Sequence, residues 1–243
     1  MAKQPLLSVI LVFRNQKDLI EPALTALYEM NNIPIELVVV DEGSTDGSGE
    51  VISSLMEHYQ HSDSYFFQHE HPVGKGNALN EALQEVAGSY LWLPQQPEKI
   101  HEEVLAEHLK KLRESDKRAL YQHTEPLPEY GDIDGWIKMM DREALPEDEL
   151  FLWNWQQLPP YQRFFNPFLS NHHGCELAMR TLDRERTALI NPFYHNQQAG
   201  SANKADYATI SEFVFTLLRR STLHPEQKDL LLQLLNPTIT EPL

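Results

Sequence analysis

Apolar positions alternate between two kinds of run along the first half of the chain. Ser8–Phe13 (SVILVF) is a continuous β-branched stretch, the pattern of a strand buried on both faces. Leu19, Ile20, Ala23, Leu24 and Leu27 then recur at helical spacing. Ile35–Val40 is a second buried strand, introduced by Pro34, and Val51, Ile52, Leu55, Met56 and Tyr59 repeat the helical period. Tyr65–Gln68 is a short third strand. A helix carrying Ala78, Leu79, Ala82, Leu83 and Val86 follows, closed by Gly88. Tyr90–Leu93 is the next strand, followed by an amphipathic helix near Glu102–Ser115 and a strand near Arg118–Gln122.

This alternation predicts an α/β fold of βαβ units around a mixed, mainly parallel sheet flanked by helices. Such sheets bind ligands beyond the carboxyl ends of their strands, which directs attention to the residues after Phe13, Val40, Gln68 and Leu93. The second half reads differently. Residues 123–170 are rich in proline and hold Trp136, Trp153 and Trp155, with Phe164 and Phe165 close by. They predict an irregular, aromatic-rich layer with short helices. A strand near Glu176–Arg180 and helices about Asp206–Arg220 and Pro225–Leu235 complete the chain. The organisation expected is a half spanning 1–122 and a half spanning 123–243 of one domain.

Composition narrows the functional classes. The 243 residues carry 20 Lys+Arg against 36 Asp+Glu, a formal charge of −16. Such a chain has no general attraction for nucleic acid or anionic lipid. A single cysteine, Cys175, excludes an internal disulfide framework and a cysteine-based zinc site. Leu6–Phe13 is too short for a membrane helix and lacks the features of a leader peptide, so no transmembrane segment is expected. The expectation is a cytoplasmic protein, at most peripheral at the inner membrane face.

The loops after the strands hold the candidate chemistry. Arg14 and Asn15 follow the first strand, and Asp41-Glu42-Gly43-Ser44-Thr45-Asp46-Gly47 follows the second. Asp, Ser and Gly there suit a sharp turn and a helix cap, and equally allow Asp41 to accept hydrogen bonds from a ligand N–H. After the third strand, Gly74-Lys75-Gly76 precedes a helix whose free N–H groups favour an anion. The spacing matches neither a P-loop nor the dinucleotide fingerprint. Among the first 98 residues the cations are Lys3, Arg14, Lys17 and Lys75, and two of these four follow strand ends. A lysine on a loop can also be merely solvated.

Four segments occur in order: SVILVFRN (8–15), ELVVVDEGSTD (36–46), GKGNALN (74–80) and AGSYLWL (87–93). Over roughly residues 6–98 the chain resembles the inverting nucleotide-sugar glycosyltransferases of family 2, with the GT-A fold. The resemblance implies a GT-A-like, Rossmann-like sheet and a nucleotide-sugar donor of the UDP-sugar type, with a glycan or lipid-linked acceptor. The implied setting is cell-surface polysaccharide biosynthesis. It implies that Phe13, Arg14, Asp41 and Glu42 meet the nucleobase, and that Gly74 and Lys75 lie near the ribose and diphosphate. It implies a carboxylate base in the second half. Asp206 is the preferred residue, in competition with Glu147-Asp148-Glu149, and the bland alternatives are a helix cap and dipole-favouring charge.

One departure stands out. Where the family carries Asp-x-Asp to hold Mg²⁺ or Mn²⁺, this chain reads Pro94-Gln95-Gln96-Pro97-Glu98. A neutral glutamine and a proline are poor ligands for a hard dication, so no metal is assigned there. Either Lys75 and Arg14 neutralise the diphosphate without metal, or the chain is a non-catalytic relative that binds a ligand or partner. His69/His71 and His172/His173 lack further evident ligands. Ser44 and Cys175 come with no associated base. Trp153 and Trp155 suit a core better than a sugar platform. The Gln-x-x-Arg-Trp motif of processive synthases is absent, so addition of one sugar is expected.

Overall fold

The computed structural model describes residues 5–60, 63–122, 128, 132–141, 145, 147–169, 171–181, 187–190, 207–219 and 223–235. The strands are β1 (Leu7–Phe13), β2 (Ile35–Asp41), β3 (Ser64–Gln68), β4 (Tyr90–Trp92), β5 (Ala119–Gln122), β6 (Phe151–Asn154) and β7 (Thr187–Ile190). They form one seven-stranded sheet in the order β3-β2-β1-β4-β6-β5-β7. β3, β2, β1 and β4 run parallel, while β6 lies antiparallel to both β4 and β5. β7 then pairs with β5 in parallel.

The helices are α1 (Lys17–Tyr28), α2 (Ser48–Tyr59), α3 (Lys75–Ala82), α4 (Glu102–Arg113), α5 (Ile133–Asp141), α6 (His173–Thr181), α7 (Tyr207–Leu218) and α8 (Pro225–Leu234). Side-chain alternation along the strands divides the core into two layers. Leu7, Val9, Leu11, Leu37, Val39 and Trp92 pack with the apolar faces of α1 and α4. Ile10, Val38, Val40, Leu91 and Trp153 pack with α3, α5, α6 and α7. Both faces of the sheet are thus covered, which is why β1 and β2 read as unbroken apolar runs.

A polar rivet holds the centre. Glu36 is 2% exposed and accepts hydrogen bonds from the Ser8 hydroxyl at 2.6 Å and the Ala87 N–H at 2.9 Å. Ser8 Oγ in turn accepts from Gly88 N–H at 3.0 Å. The turn before β4 is thereby fastened to β1 and β2, and the buried polar atoms are satisfied.

The structure departs from the pattern-based reading in several places, and it adds an edge strand, β7, that the pattern does not show. Residues 173–181 form helix α6, not a strand over Glu176–Arg180. All but Arg180 are buried, and the polar stripe of His173, Glu176 and Arg180 at i, i+3 and i+7 is longer than a five-residue window over Glu176–Arg180 can show. Leu, Ala, Met and Arg favour helix, and Glu176 pairs with Arg180 one turn on. Phe151–Asn154, expected within an irregular layer, is the interior strand β6, fully buried along its length. Trp153 and Trp155 belong to the core, in agreement with the sequence reading. The helix after Gly74 begins at Lys75, so both Lys75 and Gly76 lie within its first turn.

Candidate active-site cleft

The carboxyl ends of the parallel strands open onto a cleft of about 370 Å³. Its wall combines Phe13 and Arg14 from the end of β1, Glu42 after β2, Lys75 from the first turn of α3, Gln95 after β4, and Glu147. Leu79, Leu93, Pro94 and Asn171 add to it. Cations and carboxylates therefore face one another across a mixed apolar and polar cavity, the composition typical of small-molecule sites.

The first two loops are stitched together by the Asp-Glu-Gly-Ser-Thr-Asp segment. Asn15 N–H donates to Ser44 Oγ at 2.9 Å, and Asn15 Oδ1 accepts from Thr45 N–H at 2.8 Å. Lys17 N–H donates to Asp46 at 3.1 Å. Gly43 adopts φ +71°, and a Cβ there would meet the His71 backbone at 3.0 Å. That glycine brings the loops after β2 and β3 into contact.

Asp41 lies fully buried beneath the cleft and is not among the residues lining it. Its carboxylate accepts from Ser44 N–H at 2.9 Å and from the Gln68 amide at 3.4 Å. Glu42, next along, reaches the cavity and carries a buried Oε1 with no hydrogen-bond partner. Gly74, at φ +88°, caps α3 and turns the chain so that Lys75 enters the cleft.

Lys75 is the electrostatic hinge of the site. Its ammonium lies 2.7 Å from Asp148, with side-chain exposures of 25% and 1%. Burial works against the Lys75 charge, but Asp148 outweighs it and holds the lysine pKa above its ordinary value. Burial likewise opposes the Asp148 charge. Lys75 and the His173 ring overcome it and hold the carboxyl well below the usual range. Gly174 N–H donates to the other Asp148 oxygen at 2.7 Å, and His173 Nδ1 lies 3.5 Å away. Asp148 thus anchors Lys75 and α6. Its neighbour Glu147 turns to the cleft, with a buried Oε1 that has no hydrogen-bond partner.

The tip of β4 does not fit a hard divalent cation. Gln95 gives its side-chain amide to Glu147 at 3.4 Å and its main-chain N–H to Glu149 at 3.3 Å. A carboxamide and a proline replace the paired carboxylates that a six-oxygen shell would draw on. Among the described residues no group of three or more His, Cys, Asp or Glu is arranged to hold a metal ion.

Of the residues read from sequence, Phe13, Arg14, Glu42 and Lys75 converge on the cleft, while Asp41 and Gly74 support it from behind. Asp206 lies outside the described residues. Gln95 and Glu147 were visible as a substituted motif and an acidic cluster, whereas Asn171 carried no signal in the sequence.

The sheet order with one reversed strand, and a cleft at the strand tips, define a GT-A fold. The Pyrobaculum calidifontis mannosyltransferase PcManGT, solved with GDP-Man and Mn²⁺, is 18% identical with a TM-score of 0.63, covering 96% of this chain and 70% of its own. Staphylococcus aureus TarS 1–349 in complex with UDP-GlcNAc is 16% identical with a TM-score of 0.63, covering 95% and 72%. Mycobacterium tuberculosis glucosyl-3-phosphoglycerate synthase, solved with Mn²⁺, UDP and glucosyl-3-phosphoglycerate, gives 16% and 0.56, covering 91% and 82%. The glycosyl transferase family 2 model matches residues 8–185, and the chain belongs to that family. Staphylococcus aureus poly-beta-1,6-N-acetyl-D-glucosamine synthase is 26% identical over 85 residues, 35% of this chain and only 20% of that protein. Among the described residues no helix is long and apolar enough to cross a membrane.

Proposed function

We propose that this chain binds a nucleoside diphosphate-sugar of the UDP type in the cleft and transfers the sugar, with inversion, to a hydroxyl of a glycan or lipid-linked acceptor. The observation that carries this reading is the convergence of Arg14, Lys75, Glu42 and Glu147 on one cavity at the strand tips. Phe13 and Glu42 receive the nucleobase. The diphosphate lies against Arg14 and Lys75, whose charges stabilise it as it leaves, the part a divalent cation plays when one is bound. The acceptor oxygen forms its bond to the anomeric carbon as the carbon–oxygen bond to the diphosphate breaks. The acceptor proton passes to a carboxylate. Glu147 is the described residue suited to that role, because Asp148 is held by Lys75 and Gly174.

Calorimetric titration of UDP, GDP and their sugars, with EDTA or with Mn²⁺, tests this. Binding of UDP in EDTA, little changed by Mn²⁺, is the expected result. Strict dependence on Mn²⁺ would overturn the role given to Arg14 and Lys75. Absence of any nucleotide binding would overturn the whole reading. Glu147→Gln should leave UDP affinity intact while slowing transfer by about 10²-fold or more.

A further inference from the structure

A second cavity, about 480 Å³, lies between the 164–168 segment, α6 and α7. It shares no lining residue with the strand-tip cleft. Phe164, Phe168 and Phe215 line it while remaining 45%, 75% and 48% exposed. Large apolar rings left open around a concavity are unusual on a surface that has no use for them. The polar part of the wall is fixed. Arg180 donates to Glu176 Oε1 at 2.6 Å and to Phe164 O at 2.8 Å, and its guanidinium lies 4.2 Å over the Phe164 ring. Asn166 donates to Glu212 at 3.3 Å. Glu176 is only 2% exposed, and its Oε2 is buried with no hydrogen-bond partner.

We infer that this cavity is a saccharide-binding site. Its chemistry excludes the other simple ligand classes in turn. An apolar ligand or helix would strip water from the Glu212 carboxylate and the Arg219 guanidinium on the wall and give them nothing in return. A phosphate would meet two carboxylates, and the guanidinium of Arg180 is already committed to Glu176 and Phe164. A cation would have to share Glu176 with Arg180 and lie beside the guanidinium of Arg219 in the same space. A neutral pyranose satisfies the whole wall. Its C–H faces lie against the phenylalanine rings, and its hydroxyls donate to Glu176 and Glu212 and accept from Arg219 and Thr216. The volume falls within the roughly 300–1,000 Å³ of small-molecule sites. Burial holds the Glu176 carboxyl above its ordinary value despite Arg180.

The site stands independently of nucleotide binding in the cleft. It is tested on the full chain by saturation-transfer NMR with cellobiose, maltose and N,N′-diacetylchitobiose. The expected result is saturable binding of at least one of them, with Kd on the order of 1 mM, unchanged by excess UDP. Phe168→Ala with Phe215→Ala, which alters only exposed rings, should weaken it about tenfold or more, and Glu176→Gln should weaken it independently. Absence of saccharide binding, tighter binding of inorganic phosphate or spermine, displacement by UDP, or indifference to the phenylalanine changes would each overturn the proposal.

Discussion

Replacing Lys75 by methionine removes one half of a buried ion pair and leaves the other. Asp148 would keep Gly174 N–H at 2.7 Å and the His173 ring at 3.5 Å, but lose the ammonium at 2.7 Å. Breaking such a pair costs about 3–5 kcal/mol. Lys75 retains 25% exposure, so water offsets part of the loss and about 3 kcal/mol is expected. For a chain of this size that lowers Tm by roughly 6–12 °C. Adding Asp148→Asn removes the stranded charge while keeping an acceptor for Gly174, and should recover about 2 kcal/mol. The double variant then isolates the ligand role. UDP should bind it roughly 10- to 150-fold more weakly, the value of a charge-assisted hydrogen bond of about 1.5–3 kcal/mol. Urea denaturation of the parent, the single and the double variant, and calorimetry on the double variant, provide the numbers. The sign of the pH dependence follows from the two shifts. Asp148 titrates low in the fold, so its contribution is whole above about pH 4 and lost as acid protonates it. Lys75 titrates high, so its contribution is whole below about pH 10 and lost above. The reasoning fails if Lys75→Met is as stable as the parent, if Asp148→Asn gives no recovery, or if the double variant binds UDP normally.

Two further outcomes are expected. A Cβ at Gly76 would sit 2.5 Å from Asn166 O and 2.7 Å from Pro167 Cα, both backbone. Gly76→Ala should therefore cost about 1–3 kcal/mol and raise amide exchange in both α3 and residues 164–169, and unchanged exchange would contradict the contact. Burial, with Lys111 adding to it, pushes the His108 pKa down to about 4. The unfolded chain then takes up a proton between pH 6.5 and 4 that the fold refuses, and stability should fall across that window by on the order of 2 kcal/mol. His108→Leu should flatten that slope in a pH series of thermal melts, and an unaltered slope would remove His108 from the account.

The parallel half was legible because its physics is local. β1 and β2 are apolar on both faces, and the glycines and acids after them mark the turns that end at the cleft. The other half was opaque where burial erased periodicity. α6 buries even its polar stripe of His173 and Glu176 within only nine residues, and β6 is four buried residues with two aromatic rings stacked 5.4 Å apart. Both are too short for a period to stand out from the letters alone. Within the site, a segment such as 41–46 has the same letters whether a carboxylate meets a ligand or the backbone. Only the fold reveals that Asp41 accepts from Ser44 while Glu42 reaches the cavity. Lys75 could be singled out by its scarcity among cations, but its pairing with Asp148 spans 73 positions and left no trace in the spacing.

The reversed strand has a consequence for how the protein is made. β6 lies between β4 and β5 although it is synthesised after both. As the chain leaves the ribosome, β5 finds no seat beside β4, because the intervening slot is filled only when residues 151–154 emerge. The nascent sheet must therefore wait with one short, three-residue edge strand open. Completion is a late, long-range insertion, the slow kind of event for a β-topology, and during that interval a chaperone has a defined edge to guard.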